Sequence, residues 1–221
     1  MMADGAETSH RPPEERRPTG LLKKAAAFES GIWRSLWTWS LRRPLRLGPA
    51  ATTVPYASAA APLIWVFTAI TAVEIPILHL LLPTLTLRLI ALGLGAWGVL
   101  WMIGLLATMY VHPHVIDRTG IRIRSGLSVD LHIPVDAIEE VRPYRKTLAN
   151  SRTVQYEVTE HDAVAYVAVS SQTNVEILLS RPIEVHIPKV GTELISCVRC
   201  YADDPATMIS HARAALPDSS H

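Results

Sequence analysis

Cysteine is nearly absent from this chain. Its 221 residues include only Cys197 and Cys200, too few for a disulfide framework, and a reducing compartment is the simpler expectation. A net charge of one sign is missing as well: 21 Lys and Arg stand against 20 Asp and Glu, with the basic excess in residues 1 to 50 (nine against five) and an acidic one in residues 112 to 221 (eleven against fourteen), so there is no basic folded domain of the kind expected to bind nucleic acid. No P-loop, dinucleotide fingerprint, nucleophile elbow or His-Glu-x-x-His helix occurs, so the usual sequence signs of phosphate, nicotinamide, acyl-transfer or zinc chemistry are lacking. Nor is a secretory signal expected, because the first apolar run starts about sixty residues in and a second follows it.

What the chain does have is long apolar runs. Leu89 to Val111 reads LIALGLGAWGVLWMIGLLATMYV without one charge, long enough for a helix to cross a hydrocarbon core ~30 Å thick. A second run, residues 62 to 82, is of similar length but carries Glu74, Pro76 and His79, and Pro83 closes it. Thr84 to Arg88 is then a short connection, so residues 62–111 are expected to form a transmembrane helical hairpin with antiparallel neighbours (62–82 and 89–111). Ala91, Gly95 and Gly98 place small residues where backbones approach closely, within the hairpin or toward a second copy.

Ahead of the hairpin, residues 1–20 mix charge, Pro, Gly and small polar residues without an aliphatic run, a composition expected to remain disordered. Residues 21–43 change character. Leu21, Ala25, Phe28, Ile32, Leu36 and Trp39 follow a helical spacing, Trp33 and Trp37 flank the stripe, and Lys23, Lys24, Arg34, Arg42 and Arg43 surround it. The expectation is an amphipathic helix in the membrane interface, with Trp33, Trp37, Trp39, Arg42 and Arg43 as its contacts to the lipid bilayer; the alternative is a helix packed on the soluble domain. Residues 44–61, punctuated by Pro44, Pro49 and Pro55, read as a linker. Arg34, Arg42, Arg43 and Arg46 before the first run, and Arg118, Arg122 and Arg124 after the second, outnumber Arg88 between them. That bias predicts a multi-pass protein of the cell (plasma) membrane with both termini cytoplasmic.

After the hairpin the period changes to two. Val115–Asp117, the turn at Thr119-Gly120 and Ile121–Arg124 read as a hairpin, and further strands are expected at 128–133, 138–144, 154–159, 163–170, 175–180, 183–187 and 193–200. Asp203-Asp204-Pro205 signals a helix start, with Met208, Ile209, Ala212, Ala215 and Leu216 on one apolar face. Residues 112–216 are therefore expected to form one cytoplasmic domain, a small antiparallel barrel or sandwich capped by the final helix, with 217–221 as a tail. The run HPHVIDRTGIRIRSGLSVDLHIPVDAIEEVR, with the closing DDPATMISHARAAL, resembles the bacterial pleckstrin-homology-like (PH-like) domains attached to paired membrane helices. That resemblance implies an α+β membrane protein whose barrel serves binding or scaffolding; it carries over no functional residues.

Among residues able to carry chemistry, Glu74 stands out, since an acid inside a span usually faces protein. His79 is its nearest ionisable neighbour, five positions on, which is about 140° around an ideal helix. The pair is the candidate intramembrane polar site, either proton-linked or a neutral hydrogen-bonded group within the hairpin. His112, His114, His132, His161 and His186 match no metal-ligand spacing, and Cys197-Val-Arg-Cys200 places its sulfurs on opposite faces of a strand. Gln172 to Glu176 reads as a turn, with a recognition loop as the other possibility. No catalytic residue, cofactor or metal site is expected. The function that follows is a non-enzymatic membrane protein whose cytoplasmic module binds a protein partner, a second copy or a membrane surface; the alternative is an accessory subunit of a transport or proton-coupled complex using Glu74.

Overall fold

The computed structural model describes residues 18–42, 48, 51–159, 162–188 and 190–216. Residues 1–17 of the expected tail, Arg43, much of the expected linker and the tail 217–221 lie outside that set. The architecture is α+β: two long apolar helices, two β-sheets and a closing helix.

Helix α1 spans Pro18–Ser40, α2 Ala61–Leu81 and α3 Leu85–Val111. Both α2 and α3 are long and apolar enough to cross a membrane. Only 6% of the apolar window of α2 and 11% of that of α3 is buried inside the fold, the reverse of what core helices of a soluble protein show. Pro62 opens the first turn of α2, while Pro76 lies inside the helix without ending it. Helix α3 begins four residues ahead of the expected start, because Thr84 caps it by accepting a hydrogen bond from the Leu87 amide. The connection shrinks to three residues, and Arg88 turns back to donate from Nε to the Leu82 carbonyl at 2.8 Å. Along α2 the side facing α3 is Ile64, Thr68, Thr71 and Ile75. A Cβ on Gly95 would come within 2.5 Å of Ile75 Cγ1, so this glycine serves the hairpin's own helix contact.

The stretch expected as a linker supplies a strand. Strand β1, Thr52–Val54, pairs antiparallel with β2, His114–Asp117, so the segments entering and leaving the helical hairpin lie side by side in one sheet. Strands β3 (Gly120–Ser125) and β4 (Val129–Pro134) complete it in the order β1-β2-β3-β4. At Gly120 a side chain would collide with the Ile133 carbonyl, and φ is +151°, so the residue expected there to make the turn also admits β4.

The second sheet runs β5-β8-β9-β7-β6, with β5 Ile138–Thr147, β6 Val154–Val158, β7 Ala163–Val167, β8 Gln172–Ile187 and β9 Gly191–Cys200. Two expected strands, 175–180 and 183–187, are one bent strand: between Leu178 and Ile183 the pairing of β8 with β9 shifts register. The region 172–176, expected as a turn, belongs to β8, and the turn lies at Ser170-Ser171 instead, where φ is +49° and +62°. Strand β9 inserts between β8 and β7, so β7 and β9 are parallel and the expected all-antiparallel arrangement gives way to a mixed sheet. The two sheets do not close into a barrel.

Their inner faces enclose one core that includes Ile116, Ile123, Ile133, Val141, Ile177, Ile195 and Val198. Helix α4, Pro205–Ala215, adds Met208, Ile209 and Ala212 to it, as expected from its periodicity. Its N-cap Asp204 accepts from the Thr207 amide at 3.0 Å and from the Thr207 hydroxyl at 2.6 Å.

Candidate functional site

The helix roots, α1 and the first sheet meet at one junction. Ile32 is fully buried against α3, where a Cβ on Gly104 would approach Ile32 Cγ2 to 2.6 Å. Gly31 meets Leu127 of the β3–β4 turn at the same hypothetical distance, 2.6 Å. Helix α1 thus touches both the hairpin and the β unit, and its two expected roles are not exclusive. Its other side remains open. Trp33 is half-buried, Trp37 is 65% exposed, and Trp39 stacks on Tyr110 with ring centroids 6.3 Å apart. Arg42 is exposed in the turn after α1, while Arg43 lies outside the described residues.

Beneath α1 a cavity of about 270 Å³ is lined by apolar Phe28, Ile64 and Met109 and by the hydroxyl residues Ser125, Ser151 and Ser170. Among the described residues no charged side chain lines it. The rim includes Ser170, whose Oγ donates to the Ala59 carbonyl at 2.9 Å and so fastens the β7–β8 turn to the approach to α2.

Beside this cavity, Tyr56 and His114 stack with centroids 4.7 Å apart, and both are buried. The Gly126 amide donates to the Tyr56 oxygen at 2.6 Å. His114, whose spacing to the other histidines matches no metal site, is a core residue of β2. Its Nε2 lies 2.9 Å from the Tyr201 carbonyl, which can only accept, so this nitrogen carries the proton. Burial lowers the His114 pKa to about 4, against a smaller upward pull from the Tyr201 bond.

Glu74 and His79 are brought neither to each other nor to α3. Both are exposed, about 140° apart around α2, and among the described residues neither has a hydrogen-bonded or ionic partner. Searches for relatives give nothing to compare this arrangement with: no family model matches the chain, and no curated protein or solved structure does.

Among the described residues, the most extensive polar assembly lies on the outer face of the second sheet. Arg142, Glu176, Arg199, Tyr166 and Gln155 stand in one row across five strands through direct pairings. Glu176 is fully buried, accepting from Arg142 Nε at 2.6 Å and from Arg199 Nε at 2.7 Å. Tyr166 accepts from Arg199 at 2.7 Å and from Lys146 at 2.8 Å, and Arg199 lies 4.0 Å from the Tyr144 ring centroid. Burial pushes the Glu176 carboxyl up, but the two arginine bonds outweigh it and hold the group below the ordinary glutamate range.

Nothing in the sequence singled this row out. Its only trace was a charged residue inside each of two apolar strands, Val175-Glu176-Ile177 and Val198-Arg199-Cys200. Joining them requires the register. Cys197 and Cys200 are both buried and free, and they belong to different apolar clusters. Burial drives both thiols up to about 12, leaving almost no thiolate for redox or metal chemistry at neutral pH. Among the described residues no three His, Cys, Asp or Glu gather as metal ligands do.

Proposed function

We propose that this chain is an integral membrane protein that holds a PH-like β module against the cytoplasmic surface, where it binds a protein partner. The pairing of β1 with β2 carries this reading. The strands entering and leaving the hairpin are hydrogen-bonded neighbours, so the two helices and the β unit meet without a flexible spacer, and α1 with exposed Trp37 and Trp39 lies across that meeting point. An anchor alone would tolerate a loose tether; a module held at fixed height suits a partner at the same surface. The outer face of the second sheet is the docking face in this reading. Half-buried Tyr144 of β5 has its ring centroid 4.0 Å from the Arg199 guanidinium, Arg145 follows it as an exposed residue of the same strand, and Tyr and Arg are the residue types most often dominant in protein interfaces.

Two measurements test this. In a protein lacking Cys197 and Cys200, single cysteines at Thr86 and Ser180 should divide in intact cells: an impermeant maleimide labels the former and spares the latter. Labelling at Ser180 would overturn the orientation. Purification of the full chain in mild detergent should retain a stoichiometric protein that is lost from the Tyr144→Ala, Arg145→Glu variant; a partner retained by that variant would exclude this face.

A further inference from the structure

Within the hairpin, the α2 side chains toward α3 are Ile64, Thr68, Thr71 and Ile75, and Gly95 is filled by Ile75. Gly104, lower on α3, is filled by Ile32 of α1. The tight helix contacts at Gly95 and Gly104 of α3 are thus used inside the chain, while Gly93 stands open, and the one ionisable group left open on α2 near mid-helix is Glu74, among exposed Phe67, Ile70, Ile77 and Leu81. On the membrane-spanning reading above, on which this inference rests, that side faces hydrocarbon, where an acid needs a partner. The described chain offers no cation at that depth. Arg88 lies beyond the end of α2 and is engaged with the Leu82 carbonyl, and His79 is displaced by about 140° around the helix.

We propose that α2 pairs with α2 of a second copy about a two-fold axis along the membrane normal, the two protonated Glu74 carboxyls donating to and accepting from each other. Copies inserted with the same orientation run parallel, so Glu74 meets Glu74 at one depth. A protonated carboxyl carries one donor and keeps an acceptor, which makes it complementary to its own two-fold mate. An ionised pair would repel; a basic residue from a different protein would instead give a mixed assembly.

Oxidative cross-linking of the full chain in native membranes tests the pairing, with Cys197 and Cys200 replaced by serine. Ile70→Cys and Ile77→Cys, one turn to either side of Glu74, should each give a band at twice the 24.3 kDa chain mass, and Leu92→Cys on α3 should not. Glu74→Gln should retain the band, because an amide pairs with its mate in the same way, whereas Glu74→Leu should reduce it about tenfold. An undiminished band in Glu74→Leu, an adduct of any other mass, or no adduct at Ile70→Cys and Ile77→Cys would overturn the pairing. Alkaline carbonate extraction of the same membranes separates the two readings: retention without the dimer refutes only the pairing, whereas release of the chain refutes the membrane reading and the pairing with it.

Discussion

The backbone amide of Arg124 donates to Nδ1 of His114 at 3.0 Å. With Nε2 donating to the Tyr201 carbonyl, both ring nitrogens are committed, and the imidazole is held as one neutral tautomer between β3 and the segment leading to α4. A second proton would have to displace the Arg124 amide.

Stability should therefore depend on pH through His114. Its folded pKa, about 4, is below the ordinary 6.5, so between those values the unfolded chain binds the additional proton and acid favours unfolding. The contribution is fully present above pH 6.5 and is lost as pH falls toward 4, amounting to about 3 kcal/mol at most. Thermal melts of the full chain between pH 7.5 and 4.5 should show a falling midpoint, and the fall should flatten in His114→Gln. An unchanged slope in that variant would place the titration elsewhere.

Replacement of Gly104 should detach α1 while leaving the β unit folded. A leucine there would drive its Cβ onto Ile32 Cγ2, with the Ile32 carbonyl and Leu36 close behind. Overpacking of this kind costs about 1–3 kcal/mol, enough to shift a helix joined to the rest by one face. Limited trypsin digestion should then cut at Arg34 or Lys24 ahead of any site in the β domain. Equal resistance of both regions would show that α1 is held by other contacts.

The helices were legible in the sequence because each announces itself locally: an uncharged run for α3, and Asp204-Pro205 with a clear apolar face for α4. Strand positions were mostly legible for the same reason, by alternation. What escaped is what depends on pairing. Nothing local in Thr52-Thr53-Val54 says that it joins a strand sixty residues away, and β9 comes between β7 and β8 although it follows both in sequence. At the candidate site, Glu74 was visible as an acid inside an apolar run, but its open side was not, because only packing tells which face of α2 meets α3. Glu176 looked like part of a polar turn with Gln172 and Asn174. It lies instead inside β8, and Asn174 uses both ends of its amide on the Ala202 backbone.

Removing the Glu176 carboxylate should destabilise the domain more than removing any other surface-sheet acid. Glu176→Ala leaves two arginines facing an empty buried site, and breaking a buried ion pair from one side costs about 3–5 kcal/mol. Partial exposure of both arginines reduces this to roughly 2–3 kcal/mol. By contrast Glu157, which pairs with Lys146 at the surface, should change stability by less than about 1 kcal/mol. Urea titrations of the two alanine variants give the comparison; similar midpoints would mean that the row is an exposed decoration of the sheet.

The fragment 112–216 should be β-rich but markedly less stable than one that also carries residues 51–60 joined through a Gly-Ser linker. Those ten residues bring β1 to the edge of β2 and place Tyr56, fully buried, on His114. They also bring Ser58, whose amide and hydroxyl both bond Asp203 at 2.9 and 2.6 Å, and the Pro55 carbonyl, which accepts from the Asp203 amide at 2.9 Å. Deleting a buried aromatic side chain costs about 3–5 kcal/mol, and the vacated site would expose one face of His114, removing part of the burial that keeps it neutral. Closing the linker loop returns only a little of this stability as cost, because loop entropy grows slowly with length. For a domain of this size the joined fragment should melt roughly 10 °C or more above 112–216 by far-ultraviolet circular dichroism, and Tyr56→Ala in the joined fragment should cancel most of that gain. Equal midpoints would mean that the segment before the hairpin is a tether lying on the domain and that the fold begins after the helical hairpin.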